Sequence, residues 1–89
     1  MQIKKNEKSQ KIPKRIDTEV VKKLIIILHE DGMEKKTKIA LKSRLSYDKC
    51  LLYLSWLELM GLIRKENDAN NFEIIRLTRR GAELYSKYK

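Results

Sequence analysis

The chain has 89 residues, the length of one domain, and its single cysteine excludes both an internal disulfide and a zinc site built from several thiolates. Twenty-one lysines and arginines against 12 acidic residues give a net charge of +9, which predicts a polyanionic partner, with nucleic acid as the first candidate. A lysine-rich surface that serves only solubility or heat tolerance is the alternative interpretation.

Other classes of protein find no support in the sequence. The longest apolar run, residues 24–28, is far shorter than the roughly 20 residues of a membrane span, and the basic N-terminus has no apolar core like that of a secretory signal. We therefore expect a cytoplasmic, nucleoid-associated protein. No glycine-rich phosphate loop, His/Cys cluster or nucleophile–base pair is present, so we expect no enzyme, no metal or other cofactor and no small-molecule ligand. His29, beside two acidic residues, is interpreted as a surface residue.

Residues 1–16 form a basic segment with six basic residues, one acidic residue and the only proline. It has too few apolar residues to offset the entropy of ordering, so a flexible arm is predicted, followed by one domain at 17–89. The arm either lies along phosphates or in a minor groove, or is a tail without fixed contacts.

The first helix is predicted to begin at an Asp17 or Thr18 cap and to end at Gly32. Its apolar face is broader than a single stripe, so more than one neighbour should cover it. The residues of this face are Val20, Val21, Leu24, Ile25, Ile27 and Leu28.

Two further helices, at residues 35–43 and 46–60, are separated by a joint of two or three residues. Ser46 is a good N-cap, and Gly61 stands where a left-handed residue ends a helix. A helix, a tight turn and a helix make the helix-turn-helix plan, in which the second helix enters the major groove of DNA.

The helix at 46–60 is apolar on almost every side, so it should be buried by several neighbours. Its inward side is predicted to hold Cys50, Tyr53, Leu54, Leu57 and Met60, which makes packing the expected role of the cysteine. Leu51, Leu52, Trp56 and Leu59 fall partly or wholly outside that side. Only residues 46–49, with Leu52, are expected to be free to meet a groove, and exposed Trp56 and Leu59 favour a homodimer.

A β-hairpin, or wing, is predicted from strands at 64–66 and 72–77, with turn residues at 67–71. Ile75 and Leu77 should point inward, whereas Phe72 and Ile74 would cover a partner or follow a bulge. Thr78 then caps a last helix, from Arg79 to about residue 88, that buries Ala82, Leu84 or Tyr85. The fold class is thus mainly α with a small β-hairpin, in the order helix-helix-helix-strand-strand-helix.

The densest charge of the predicted domain lies at residues 35–49, with six basic residues and one acidic residue. We expect phosphate contacts from Lys35, Lys36, Thr37, Lys38, Arg44 and Lys65. Base edges would be read by Ser46, Tyr47, Asp48 and Lys49. Asn70 and Asn71 could read the minor groove, and Arg79 and Arg80 could extend the phosphate footprint. The alternative interpretation is that Asp48 serves only the positive end of its helix, and the two asparagines only the turn.

Several short motifs carry a resemblance to a known family. They are Thr37-Lys38-Ile39, Leu45-Ser46-Tyr47, Tyr53-Leu54-x-x-Leu57-x-x-x-Gly61-Leu62-Ile63 and Leu77-Thr78-x-x-Gly81. The order resembles the winged helix-turn-helix family over about residues 20–88, and most closely the small archaeal winged-helix transcription regulators and chromatin proteins. The resemblance implies a dimer on double-stranded DNA, with residues 46–49 in a major groove and the wing near the adjacent minor groove or backbone.

The resemblance leaves the mode of dimerisation open. The chromatin proteins of this group pair through a long C-terminal helix, whereas the last predicted helix here has about three turns. Helix 1, the outer side of helix 3, and Tyr85 with Tyr88 are the replacement candidates.

The expected function is that of a dimeric transcription regulator. A centromere-binding partition protein of a plasmid or virus, an architectural chromatin protein, and a protein–protein module on a winged-helix fold are the alternatives.

Overall fold

Four helices and one β-hairpin follow one another in the predicted order in the computed structural model, which describes residues 12–88. The elements are α1 (Thr18–Asp31), α2 (Lys36–Ser43), α3 (Tyr47–Leu59), β1 (Ile63–Asn67), β2 (Glu73–Leu77) and α4 (Arg79–Tyr88). The predicted mainly α fold with a small hairpin is therefore confirmed.

Helix α1 lies at the centre of the packing, and its broad apolar face is covered by α2, α4 and β2. Leu24, Ile25 and Leu28 on this face are fully buried. They meet Ile39 from α2 and Ile75 from β2 in one hydrophobic core. Several elements share α1 because its apolar residues extend around more than one stripe of the helix.

Side-chain caps begin α1 and α3. The carboxylate of Asp17 accepts a hydrogen bond from the Glu19 amide at 2.9 Å, which settles the choice between Asp17 and Thr18. The hydroxyl of Ser46 accepts from the Lys49 amide at 3.2 Å, so the predicted cap of α3 is present. Each cap satisfies one of the amides that the first turn of a helix leaves free.

The inward side of α3 agrees with the prediction for Cys50, Tyr53, Leu54 and Leu57, which are buried, but the prediction was wrong for Met60. Met60 is exposed because it is the C-cap, beyond the last helical residue.

The apolar residues on the outer side of α3 differ in their exposure. Trp56 is half-buried and packs against the core, whereas Leu59 is 56% exposed.

The hairpin pairs β1 with β2 in an antiparallel register from Ile63 opposite Leu77 to Asn67 opposite Glu73. Glu34 adds a one-residue third strand beside β2, with N–H···O bonds of 3.0 and 2.7 Å to and from Ile75. The sequence did not predict this bridge, because a single paired residue leaves no alternating pattern.

The prediction for the faces of β2 was partly wrong. Ile75 points inward as expected, and Leu77 is half-buried, but Ile74 is also buried. The register of the hairpin has no bulge, so Ile74 does lie on the opposite face from Ile75. The segment that leads into α2 borders Ile74 on that face. Phe72 precedes the strand and is 54% exposed.

Thr78 and Gly81 join α4 to the base of the wing. The Thr78 hydroxyl donates to the Gly61 carbonyl at 2.6 Å and accepts from the Gly81 amide at 3.2 Å, which confirms Thr78 as the cap. Of the predicted buried residues of α4, Leu84 and Tyr85 are half-buried but Ala82 is exposed. Gly81 is the buried residue of this helix, because Leu62 lies directly against it.

Tyr53 holds the chain that precedes α1 against α3. Its hydroxyl accepts from the Asp17 amide at 2.9 Å and donates to the Arg15 carbonyl at 3.3 Å. Ile16, between these two residues, packs against the core. Residues 1–11 of the predicted arm lie outside the described residues, and its boundary at residue 16 stays a prediction.

Tyr53→Phe should destabilise the domain by about 1 kcal/mol, because it removes both hydrogen bonds and leaves the Asp17 amide without its partner. Trypsin cleavage after Lys14 and Arg15 should also become faster. Urea unfolding and timed proteolysis measure the two effects, with Tyr47→Phe, on the exposed start of α3, as the control. Equal cleavage of the two variants would contradict this role for Tyr53.

Candidate nucleic-acid interface

A three-residue joint, 44–46, turns the chain from α2 into α3. Arg44 adopts the left-handed conformation, with φ of 63°, and its amide donates to the Leu41 carbonyl at 3.2 Å. The ammonium of Lys23 on α1 donates to the Ser43 carbonyl at 3.1 Å. These contacts hold the C-terminal end of α2, from which the joint leads into α3.

The N-terminal end of α3 is exposed to solvent. Ser46, Tyr47, Asp48 and Lys49 are all exposed, and Tyr47 is 46% accessible. Ser46 uses its oxygen for the cap, and Asp48 lies in the first turn, where a negative charge stabilises a helix. Of these four residues, Tyr47 and Lys49 therefore have side chains with no such local role.

Helix α2 contributes exposed Lys38 and Thr37 and a half-buried Lys36. The ammonium of Lys36 lies 2.6 Å from the Glu73 carboxylate at the start of β2. Lys35, which precedes the helix, has its ammonium 4.5 Å from the centre of the Phe72 ring.

Three of the predicted contacts, Lys65, Asn70 and Asn71, lie on the wing. Lys65 of β1 lies 3.3 Å from the carboxylate of Glu58, near the end of α3. The Asp68 carboxylate accepts from the Asn70 amide at 2.9 Å, and Asn71 adopts a left-handed φ of 67°. The conformation of Asn71 belongs to the turn, whereas Asn70 contributes its backbone N–H to it, and a minor-groove role of either side chain stays a prediction.

Arg79 and Arg80 are not brought to this group. They follow β2 at the base of the wing, and the Arg80 side chain lies near Gly61. The turn at the other end of the strands is about 15 Å away, given strands of roughly 3.3 Å for each residue. Both arginines are exposed and make no ion pair within residues 12–88.

The ion pair of Lys36 and Glu73 changes the titration of both groups. The hydrogen bond between them raises the pKa of Lys36 and lowers the pKa of Glu73, and the charge of Lys65 lowers the latter further. The lowered pKa of Glu73 means that its stabilising effect is present above the ordinary value of 4.5 and is lost as the pH falls through the folded-state pKa.

The sequence did not predict Glu58 and Glu73 as part of this surface. Glu73 lies far from Lys36 along the chain, so no spacing on one helix face indicates the pair.

Neither a metal-binding cluster nor a membrane-spanning helix is found among the described residues. Residues 12–88 hold no group of three His, Cys, Asp or Glu side chains placed to bind a metal ion. Within the same residues, no helix is both long and apolar enough to cross a membrane. His29 is exposed, as predicted, and its ring stacks on that of Tyr85 with the centroids 3.6 Å apart.

Comparison with known proteins agrees with this architecture. The family model described as winged helix-turn-helix matches residues 14–89, so the chain belongs to the winged helix-turn-helix family. No curated protein sequence gives a significant match.

Several solved structures have a similar fold. A MarR-family transcriptional regulator from Silicibacter pomeroyi has 19% identity and a TM-score of 0.69, over 76% of this chain and 47% of that one. A single-site mutant of Lactococcus lactis ZitR has 18% identity and a TM-score of 0.73, over 85% and 55%. A mutant of S. aureus MepR has 26% identity and a TM-score of 0.72, over 82% and 56%. The chain thus spans about half the length of these structures, and the predicted closeness to archaeal proteins stays a prediction.

Proposed function

We propose that this protein is a transcription regulator that binds double-stranded DNA, with the start of α3 in the major groove and the wing beside it. The observation that carries the proposal is the solvent-exposed end of α3, residues 46–49, which follows α2 and its exposed Lys38 across a three-residue joint. An α-helix fits the major groove, and neighbouring cations neutralise the phosphates on either side of it.

In this proposal the exposed basic residues have two different roles. Lys35, Lys38 and Arg44 would contact phosphates, which gives affinity for any sequence and a strong dependence on salt. Lys49 and Tyr47 would meet base edges, with Lys49 directed to the acceptors of guanine and Tyr47 to a thymine methyl group or a phosphate. A preference for one DNA sequence would depend on Lys49 and Tyr47.

A homodimer is part of the proposal. Leu59 and Met60 are exposed at the end of α3, and Ile26, Tyr85 and Tyr88 line a shallow groove between α1 and α4. Either apolar surface would be covered in a symmetric pair. Sedimentation of the free protein at tens of micromolar tests the pairing, and a monomer at that concentration would refute it.

The test of DNA binding compares two lysines at several salt concentrations. Lys38→Ala should weaken binding to all duplexes alike and reduce the slope of log K against log salt by about 1, because one phosphate contact is lost. Lys49→Ala should change the preferred sequence in selection from random DNA. Fluorescence anisotropy on a random duplex of about 30 base pairs and on the selected site measures both effects.

The control is Lys87→Ala, which removes the same charge from the exposed end of α4. Salt-dependent binding without any preferred sequence would indicate an architectural or partition role. Unchanged binding in both the Lys38 and Lys49 variants would remove the proposed surface, and no binding to any duplex would leave a protein–protein module.

A further inference from the structure

The proposed DNA surface carries two ion pairs that cancel part of its charge. Lys36 pairs with Glu73 at 2.6 Å, and Lys65 pairs with Glu58 at 3.3 Å. These four side chains come from α2, β2, β1 and α3, so each element that borders the surface contributes one of them. Lys36 and Lys65, two of the residues predicted to contact phosphates, are therefore neutralised in the free protein.

The charges of the two ion pairs influence one another. The charge of Lys65 lowers the pKa of Glu73 in addition to the effect of Lys36. Glu58 and Tyr47 both raise the pKa of Lys36. Tyr47 is the first residue of α3. Glu58 lies near the C-terminal end of the same helix, so the two pairs border different parts of α3.

The backbone holds the Lys36–Glu73 pair in place. Glu34 and Ile75, each two residues from one partner of the pair, exchange N–H···O bonds of 3.0 and 2.7 Å. Because the main chain of both segments is held by these bonds, only the side chains of Lys36 and Glu73 have to be ordered for the pair to form. The Glu73 side chain is nevertheless 42% exposed, so its charge faces the solvent from which a duplex would approach.

A phosphate that contacts Lys36 must come within a few ångströms of the Glu73 carboxylate. Like charges at that separation repel each other, and the repulsion acts on any duplex whatever its sequence. A duplex that also makes base contacts at α3 starts from a higher affinity, so it can remain bound at a concentration at which a random duplex, weakened by the same repulsion, does not.

We propose that Glu73 is a residue that limits affinity for DNA: its carboxylate neutralises Lys36, repels phosphates and thereby weakens binding to duplexes of any sequence. This inference rests on the proposed DNA-binding function. A merely structural role, in which the pair only fastens α2 to the wing, makes a different prediction: removal of the charge would lower stability and leave DNA affinity the same or weaker.

The experiment uses Glu73→Gln in the full chain, because glutamine keeps the shape and can still accept a hydrogen bond from Lys36. A random duplex of about 30 base pairs should bind about threefold to tenfold more tightly, and the salt slope should become steeper by about 1, as expected for one uncovered cation. The affinity for a selected site should rise by a similar factor, because the repulsion does not depend on sequence. Thermal unfolding of each variant confirms that the fold is kept.

Glu83→Gln is the matched control, because it makes the same change in net charge on the exposed face of α4, where Glu83 has no ion pair within the described residues. Its affinity for the random duplex should change less than about twofold. The double variant Lys36→Gln/Glu73→Gln should have the affinity and the salt slope of the unmodified protein. In the unmodified protein the Lys36–Glu73 pair contributes no net charge, and in the double variant two neutral side chains replace it.

The inference is overturned if Glu73→Gln binds random DNA no more tightly than Glu83→Gln does, while the unmodified protein shows salt-dependent binding. If the unmodified protein binds no duplex at any salt concentration, the proposed function itself fails. The two failures are thus distinguished by the first measurement.

Discussion

Gly81→Ala is expected to destabilise the domain by about 2–3 kcal/mol and to lower the melting temperature by roughly 10–20 °C. A Cβ atom at this position would lie 2.2 Å from the Leu62 carbonyl oxygen and 2.8 Å from a methyl group of Leu77. The first neighbour is backbone and cannot turn aside, so α4 would have to move away from the base of the wing. Thermal and urea unfolding measure the loss.

The direction of this effect opposes the ordinary rule for helices. Alanine in a helix is favoured over glycine by about 1 kcal/mol, so an unpacked Gly81 would make the substitution stabilising. Ala82→Gly is the control, because Ala82 is the next residue of α4 and is exposed. It should cost only about 0.5–1 kcal/mol, through helix propensity alone. A Gly81→Ala variant as stable as the original protein would show that α4 does not pack closely against Leu62.

The contact also explains the motif Leu77-Thr78-x-x-Gly81. Thr78 fixes the start of α4 by its bond to the Gly61 carbonyl, and three residues later only a glycine leaves room for the backbone of Leu62. The family resemblance of this motif therefore reflects how the last helix is joined to the wing. It specifies the fold and carries no information about the DNA sequence.

Local signals were sufficient to predict the order of elements. The caps at Asp17, Ser46 and Thr78 each act within three residues along the chain, so their residue types can be recognised without the fold. Gly61, with φ of 76°, ends the third helix for a similarly local reason. The bare start of α3 followed from the same signals, because no aliphatic residue precedes Cys50 in that helix.

Contacts between distant segments could not be predicted in this way. The bridge of Glu34 to Ile75 joins residues far apart in sequence, and neither residue type indicates it. The burial of Ile74 depends on the segment before α2, which the strand pattern does not contain. The Lys36–Glu73 pair has the same origin, so the sequence indicated the basic residues of the surface but not the acidic residues that neutralise them.

Cys50 is expected to react at least about 100-fold more slowly with a thiol reagent in the native protein than in denaturant at about pH 8. Its side chain is fully buried on α3, and burial raises the pKa of the thiol from 9.0 to about 11. Because the thiolate is the reactive form, this shift alone lowers its fraction at about pH 8 by about 100-fold. The rate of adduct formation, followed by absorbance or mass spectrometry, measures the protection.

The same shift gives a sign for the dependence of stability on pH. A thiol that stays protonated in the folded state stabilises the fold fully below about pH 9, and this contribution is lost as the pH rises from about 9 towards 11. Compared with Cys50→Ala, which has no such group, the original protein should therefore lose more stability over that interval. Parallel curves for the two proteins would contradict the raised pKa.

The thiol also reports on opening of the whole domain, which connects it to the effect at Gly81. A fully buried sulfur can react only after the structure around α3 opens, so when reclosing is fast the rate follows the equilibrium fraction of opened molecules. If Gly81→Ala destabilises the fold by about 2–3 kcal/mol, the reaction of Cys50 should accelerate about 30-fold to 150-fold, at one factor of ten for each 1.4 kcal/mol. Ala82→Gly should accelerate it only about twofold to fivefold. An equal rate in all three proteins would mean that Cys50 is reached by a local opening of α3 that leaves the junction of α4 with the wing intact.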